Sequence, residues 1–553
     1  MSPENVTTGD KPNLSSTGQG RWEQAGQQLA PAHRFGGVCV DSASGSSVKV
    51  NRENCGDGNP KSPPSAQTGS AREAAGVAAE VGVLHSSVDL HYLKRCKEPR
   101  EDTCSMRRSE AKDAGIAGPN RPPTPDKVRS LQIALYRKAK ASPTYRFWSL
   151  YGHLLRRDIL ETALQTQIEN RGAAGVDGQT LAALAANAQT RTQWLGRLQE
   201  ELKTKAYRPS PVRRVMIPKS GGGQRPLGIP TVKDRVAQTA LGMILMPIFE
   251  ADFHPHSFGF RPKRDAHQAI EAINSAVRRG HVENIDADLS KHFDTIPHRG
   301  LMKAVAKRIS DGSVLRLIKQ WLRAPVVEED RDGRRRVVPN RCGTPQDGVI
   351  SPLLANVYLN PLDWGVNQNT AGQARMIRYA DDFVIACRVG RSRPVKERLR
   401  RWLSAKGLNI NEVKTRVVNI HQEGINFLGF NLTWRGSWKG QGYLHVEPGQ
   451  KSRRALREHL SQILNHWTLW RPVEEVVQET NAVLRGWAGY FHFRNSTRVF
   501  GQMRRYSQNR LRRWLWRKHD CTRGLWKHYS DARLRHHYGL YELPMTAAWK
   551  GHR

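Results

Sequence analysis

The chain has 553 residues and a formal net charge of +38, with 88 Lys and Arg against 50 Asp and Glu. That length suggests about three or four domains, and the charge suggests a polyanionic partner, most naturally nucleic acid. No apolar run approaches the roughly 18 residues of a membrane span, the N-terminus lacks a basic-then-apolar signal pattern, and seven sparse cysteines fit a reducing cytoplasm.

Residues 1 to about 125 are rich in Gly, Ser, Pro, Asn and Ala and lack sustained apolar periodicity, so they read as a largely disordered segment. Cys39, Cys55, Cys96 and Cys104 have no Cys-x-x-Cys spacing and read as free thiols. Helical spacing begins with Val128 to Lys138, continues over Tyr145 to Glu169 and returns at Trp194 to Lys205, a helical extension over 126–205. Between them Gly172 to Gly178 reads as a loop. Val212 to Pro218 then reads as a strand, and a Gly-rich turn leads to a second near Arg225 to Ile229. Strands and helices alternate to about Phe430. Past Gln450 the pattern is helical and basic.

The chemistry centres on Tyr379-Ala380-Asp381-Asp382. Both flanks suit short strands, which puts two adjacent carboxylates on a hairpin turn. Alone, such a pair suits a solvated turn. Ile285 to Leu289, however, alternates apolar and acidic residues, so Asp286 and Asp288 share one strand face. Laid beside the hairpin, that strand brings a third carboxylate to the two. Three such groups can hold two Mg²⁺ ions about 4 Å apart, the arrangement phosphoryl transfer uses. Asp294 suits a turn or a cap before Pro297. Gly343 to Asn356 reads as a loop entering a helix, with Ser351 as N-cap, Pro352 at the first helical position and Gln346 in the loop.

These motifs together resemble those of reverse transcriptases, specifically the proteins encoded by bacterial group II introns. The likeness runs from about Val128 to the end. It rests on Lys219 and Arg225 within Ile217 to Pro230, then His256 to Pro262, Asp288 to Asp294, Gly343 to Asn356, Tyr379 to Asp382, Lys414-Thr415, and Phe427 to Phe430. The resemblance implies an α+β right-hand polymerase with fingers over 206–280, an antiparallel-sheet palm over 281–440 and an all-α thumb or maturase domain over 450–535, ahead of a short basic tail, 536–553. It selects Asp288 as the metal-binding aspartate beside Asp381 and Asp382, with Asp382 the less direct ligand. It sets Phe293 under the nucleotide sugar as a gate against a 2′-hydroxyl, Lys219 and Arg225 at the triphosphate, and Gln346 near the nascent base pair. Two positions depart from the pattern: His292, where an aromatic or small residue is usual, and Asp347, where glycine is frequent.

Residues 451–553 hold 21 Lys and Arg, 7 Asp and Glu, and seven of the 15 tryptophans. Arg504, Arg505, Arg510, Arg512, Arg513, Arg517 and Lys518 interleave with Tyr506, Trp514 and Trp516. Arginines suit phosphates and aromatics suit unpaired bases; an amphipathic helix with buried tryptophans and a solvated basic face has the same pattern. Leu484 to Phe491 resembles the family's maturase domain, which implies binding of intron RNA. The tail lacks the paired cysteines and His-Asn-His pattern of the family's endonuclease, so no endonuclease is expected.

The resemblance therefore implies an RNA-directed DNA polymerase and maturase that uses two Mg²⁺ ions, with Mn²⁺ as a substitute. Its expected partners are group II intron RNA, a DNA target and primer, and deoxynucleoside triphosphates. Two alternatives stay open on sequence: a domesticated reverse transcriptase in repair or phage defence, and a non-enzymatic splicing factor.

Overall fold

The computed structural model describes residues 125–218, 224–289, 292–329, 334–345, 348–437 and 440–546. The low-complexity N-terminal segment with its four cysteines, Lys219, Gln346, Asp347 and the last seven residues lie outside them.

Helices Asp126–Ala141, Tyr151–Leu154, Arg157–Asn170, Leu181–Ala186 and Ala188–Lys203 open the fold. The helix expected over Tyr145 to Glu169 is broken. Phe147 instead bridges to Ile309, and the backbone N–H groups of Leu150 and Tyr151 both donate to Asp311 Oδ2 at 2.8 Å. Contacts to a distant segment thus replace the local helical bonds that the apolar spacing suggests.

Strands β1 (Val212–Pro218) and β2 (Gln224–Ile229) pair antiparallel, with Ile217 opposite Arg225. Thr231 caps the next helix, Val232–Glu250, by accepting from the Asp234 N–H. That helix is apolar on almost every side and runs through the core. Helix Ala266–Arg278 is one-sided, burying Ala269, Ile270, Ile273 and Val277. Strand β3 (Glu283–Asp288) follows, then β4 (Val326–Glu329), which lies parallel to β1, and β5 (Arg335–Val338). Ser351–Gln368 is the helix expected after the Gly343 loop, but Ile350 occupies the N-cap position and makes no side-chain cap. Ser351 lies one residue inside, and its hydroxyl donates to the Pro345 carbonyl at 2.9 Å.

The central sheet has the order β6–β7–β3–β8, all antiparallel, from β6 (Ala374–Tyr379), β7 (Asp382–Cys387), β3 and β8 (Arg416–Asn419). Its side chains alternate between two cores. Ile285, Ala287, Phe383 and Ile385 join the helices of the N-terminal half. Ile377, Val384, Ala386 and Val418 join helix Ala266–Arg278 and the C-terminal helices. A sheet covered on both faces explains the unbroken apolar run of β7. Sheet structure also continues past Phe430. Strands β9 (Ile425–Phe427), β10 (Phe430–Gly436) and β11 (Gly442–Pro448) form a second sheet, in which Phe430, Leu432, Leu444 and Val446 are buried. Phe430-Asn431-Leu432-Thr433 and Leu444-His445-Val446-Glu447 carry the two-residue alternation of half-buried strands. Helices Gln450–Ile463, Val473–Phe491, Thr497–Lys518, Leu525–His528 and Asp531–His536 complete the described chain. No described helix is long and apolar enough to cross a membrane.

Candidate active site and nucleic-acid interface

Pairing register brings the acidic residues together. Asp288, the last residue of β3, lies directly opposite Asp382, the first of β7. Tyr379 and Asp382 close the β6–β7 hairpin, leaving Ala380 and Asp381 as its two-residue turn. Ala380 sits at φ 60°, a left-handed conformation that costs a residue with a Cβ on the order of 1 kcal/mol.

A buried clamp holds that turn. Arg378 is fully buried and its Nη1 donates to the Ala380 carbonyl at 2.7 Å. The same guanidinium grips Asp363 with two bonds, at 2.8 and 2.6 Å, and donates to Asn356 Oδ1 and Ser257 Oγ, each at 2.8 Å. The segment around Ser257 lies alongside the hairpin: Phe258 N–H donates to the Arg378 carbonyl, and Arg378 N–H to that of His256. Gly259 is obligatory here, since a Cβ on it would fall 2.2 Å from the Ala380 nitrogen. Arg261 anchors the segment through two bonds to Glu250, at 2.9 and 2.6 Å, and through the carbonyls of His254 and Ser257. Much of the His256 to Pro262 motif thus packs behind the hairpin and shapes it. Sequence reasoning found the motif but not this task, which depends on partners about 120 positions away.

Electrostatics at the carboxylates favours a cation. Crowding by protein, then Asp381, Asp288 and Asp286, pushes the Asp382 carboxyl up to about 7. Its side chain still reaches solvent, which leaves the three acidic neighbours as the durable cause. Burial and then Asp288 also raise Asp381, against the pull of Arg225 and Arg378. Burial raises Asp286, partly offset by Arg416. Lys414 Nζ donates to Asp288 Oδ2 at 2.7 Å, with the lysine 66% exposed. Among the described residues no three Asp, Glu, His or Cys side chains converge closely enough to enclose a metal as they stand. The donor set nonetheless suits a hard divalent ion: carboxylates only, mutually repelling, one of them already compensated by an ammonium group.

Around these groups, Phe293 is half-buried and packs against the core. The Gly343 loop lies on its backbone, with Thr344 N–H donating to the Phe293 carbonyl. His292 is buried with both ring nitrogens lacking a hydrogen-bond partner, and burial lowers its pKa to about 3. Arg225 is exposed near the start of β2 and close enough to Asp381 to pull its pKa down.

The basic helix Thr497–Lys518 divides the expected RNA contacts. Arg512 is only 1% exposed and donates to the Tyr529 carbonyl, Asn509 and Asp531. Arg510 donates to the carbonyls of Ser461 and Leu464, Lys518 to those of Leu469 and Arg471, and Arg504 pairs with Glu542. These four tie the helix to its neighbours, and of them only Arg512 is buried away from solvent. Arg505, Arg513 and Arg517 are exposed. Trp514 is buried, and Tyr506 and Trp516 pack against the same core. Among the described residues past Gln450, the exposed tryptophans are others, Trp467, Trp470 and Trp526.

Comparison with known proteins agrees with this arrangement. The family "Reverse transcriptase (RNA-dependent DNA polymerase)" matches residues 217–432, and "Group II intron, maturase-specific domain" matches residues 453–532. Protein YkfC of Escherichia coli (strain K12) is 34% identical over 367 residues, which cover 59% of this chain and 94% of that protein. The chain belongs to the group II intron reverse transcriptases and maturases.

Other relatives extend the family. The group II intron-encoded protein LtrA of Lactococcus lactis subsp. cremoris is 36% identical over 220 residues, 39% of this chain and 35% of LtrA. An uncharacterized 91 kDa protein in a cob intron of Schizosaccharomyces pombe is 26% identical over 420 residues, 62% of this chain and 50% of that protein. The chain thus spans half or less of these two. Among solved structures, apo telomerase from Candida tropicalis aligns at 13% identity over 56% of this chain and 62% of its own, with a TM-score of 0.37. This reverse transcriptase and maturase is an RNA-directed DNA polymerase that acts in intron splicing and mobility, and its polymerase domain implies dependence on a divalent metal.

Proposed function

We propose that Asp288, Asp381 and Asp382 hold two Mg²⁺ ions, for which Mn²⁺ can substitute, and that the protein copies its intron RNA into DNA from deoxynucleoside triphosphates on a primer at a DNA target. The observation that carries this is the register that sets Asp288 opposite Asp382, with Asp381 on the adjoining turn. When bound, the ions supply activation of the primer 3′-hydroxyl and charge stabilisation at the leaving pyrophosphate.

The chain's own residues do the positioning. Arg378 fixes the Ala380 carbonyl and with it the direction of Asp381. Arg225, on the Asp381 side, offers a guanidinium to the triphosphate, and Lys219 a second cation. Phe293 presents a ring to the sugar, and Gln346 meets the nascent base pair. Lys414 pairs with Asp288. Arg505, Arg513 and Arg517 contact intron RNA phosphates during splicing.

Primer extension on a primed RNA template tests the assignment. Asp288→Ala and Asp381→Ala should each abolish cDNA synthesis while RNA binding persists. Near-normal extension by Asp288→Ala removes that residue from the site.

A further inference from the structure

Two tryptophan-bearing segments flank the exposed arginines of helix Thr497–Lys518. On one side the turn His466 to Arg471 is pinned to the end of this helix, because Trp514 Nε1 donates to Thr468 Oγ1 at 3.0 Å and Lys518 Nζ to the Leu469 and Arg471 carbonyls. Pinning the turn leaves its tryptophans outside, Trp467 76% and Trp470 80% exposed. On the other side Arg512 donates to the Tyr529 carbonyl and stacks under Trp526, its guanidinium carbon 3.8 Å from the ring centroid. Trp526 keeps 61% of its surface in solvent.

Helical geometry places the arginines between them. At 100° per residue, Arg513 and Arg517 point into the arc between the Trp514–Lys518 edge and the Arg512–Trp516 edge. Both are exposed. Three large apolar rings in water, on segments held by these hydrogen bonds, are costly unless something covers them. Their surroundings select the occupant: residues 451–553 carry 21 basic and 7 acidic residues, which disfavours a basic or neutral protein surface and favours a polyanion with flat faces.

We infer that Trp467, Trp470 and Trp526 form a stacking platform for unpaired RNA bases, with Arg513 and Arg517 holding the phosphates of the strand between them. The inference rests on the reading of these helices as the RNA-binding part and adds which form of RNA they take. A paired duplex hides its base faces, whereas a single strand offers them to tryptophan. The sequence signal was Trp467-x-x-Trp470-Arg471-Pro472, two tryptophans in a turn with no helical face to bury them.

The test uses the full chain with its polymerase cleft preloaded with a primer–template duplex. Affinity is measured by fluorescence anisotropy for a labelled 12-nucleotide oligo(A), for a 12-base-pair RNA duplex and for the transcript that contains this reading frame. Wild type should prefer the single strand to the duplex. Trp467→Ala/Trp470→Ala should weaken oligo(A) binding about tenfold without changing its salt slope, and the Phe versions should restore most of it. Arg513→Gln/Arg517→Gln should instead flatten the log–log salt slope by about 1.4, at about 0.7 per lost contact. Unchanged thermal midpoints would show that these surface changes leave the fold intact. Equal oligo(A) binding by wild type and the tryptophan variant overturns the platform, as does a dimer that the tryptophan changes dissolve while RNA affinity holds. Failure of wild type to bind the intron transcript would overturn the underlying reading instead.

Discussion

Ala380 and His292 show how single residues near the chemistry depart from what local rules favour. Ala380 takes a left-handed backbone that glycine would adopt freely, and Arg378 holds it there. His292 is a buried base without a partner, lowered to about 3 by burial and by the nearby Arg378 charge. In the unfolded chain its pKa lies near 6.5, so between the two values the unfolded state binds the extra proton and folding weakens as pH falls. This contribution is complete above about 6.5 and has dropped by about 2 kcal/mol at pH 5. His292→Phe keeps the ring and removes the titration. Its urea midpoint should fall less between pH 7 and 5 than that of wild type, and an identical fall would show that the histidine is already satisfied. Phe293, next in the chain, is half-buried against the core and is proposed to sit beneath the sugar. Phe293→Ala should raise ribonucleotide incorporation relative to deoxynucleotides in primer extension, whereas an unaltered ratio would leave the ring as packing.

At the scale of elements, the β6–β7 hairpin depends on a segment distant in sequence. The strand-like contact of Ser257 with Arg378, the carbonyl of Gly259 accepting from Asn356 Nδ2 at 2.8 Å, and the absence of a Cβ at Gly259 form one interlocked unit. Gly259→Ala must push either its own segment or the Ala380 turn away, since the new carbon would lie 2.2 Å from a backbone nitrogen. The expected result is at least a tenfold fall in kcat with little change in KM for the deoxynucleotide, because about 1 Å of displacement at reacting groups costs up to about a hundredfold. Wild-type kcat in Gly259→Ala would show that the clamp yields without moving Asp381. The basic helix follows the same logic. Its basic residues divide into those bound to neighbouring groups and those facing water, and composition cannot make that division.

Across the whole molecule, the central sheet and the C-terminal helices share one core, and helix Ala266–Arg278 adds specific contacts to it. The His267 ring stacks on Phe493 with centroids 4.3 Å apart and hydrogen-bonds the Tyr490 carbonyl at 2.7 Å. Arg494 pairs with Glu271, on the same helix as His267. Tyr490 donates to the Leu428 carbonyl at 2.9 Å. These bonds fix the RNA-binding helices relative to the polymerising site. Glu271→Gln should loosen them by on the order of 1 kcal/mol, the pair being partly open to solvent. Hydrogen exchange should then quicken in Val473–Phe491 more than in β3 and β7, and uniform exchange would deny that the pair couples the two regions.

Much of this protein was legible before any coordinates. Charge pointed to nucleic acid, two-residue alternation marked β3, and paired apolar flanks marked the β6–β7 hairpin, because those signals are local and survive in any context. The order of motifs was enough to identify the family. The break before Tyr151 was not legible, since it depends on Asp311, remote in sequence; the strands past Phe430 and the one-residue offset of Ser351 went unread although both signals are local. Likewise only packing decided that Arg512 faces inward while Arg513 faces out, and that Trp514 is core while Trp467 and Trp470 stand in water. Adjacent residues on a helix differ by 100° in direction, and which direction is interior is set by neighbours that the local sequence does not name. The chain alone thus determined which chemical groups are present and which strands carry them. Tertiary structure decided which charges remain free to meet a substrate, because a buried charge must find its partners within the fold.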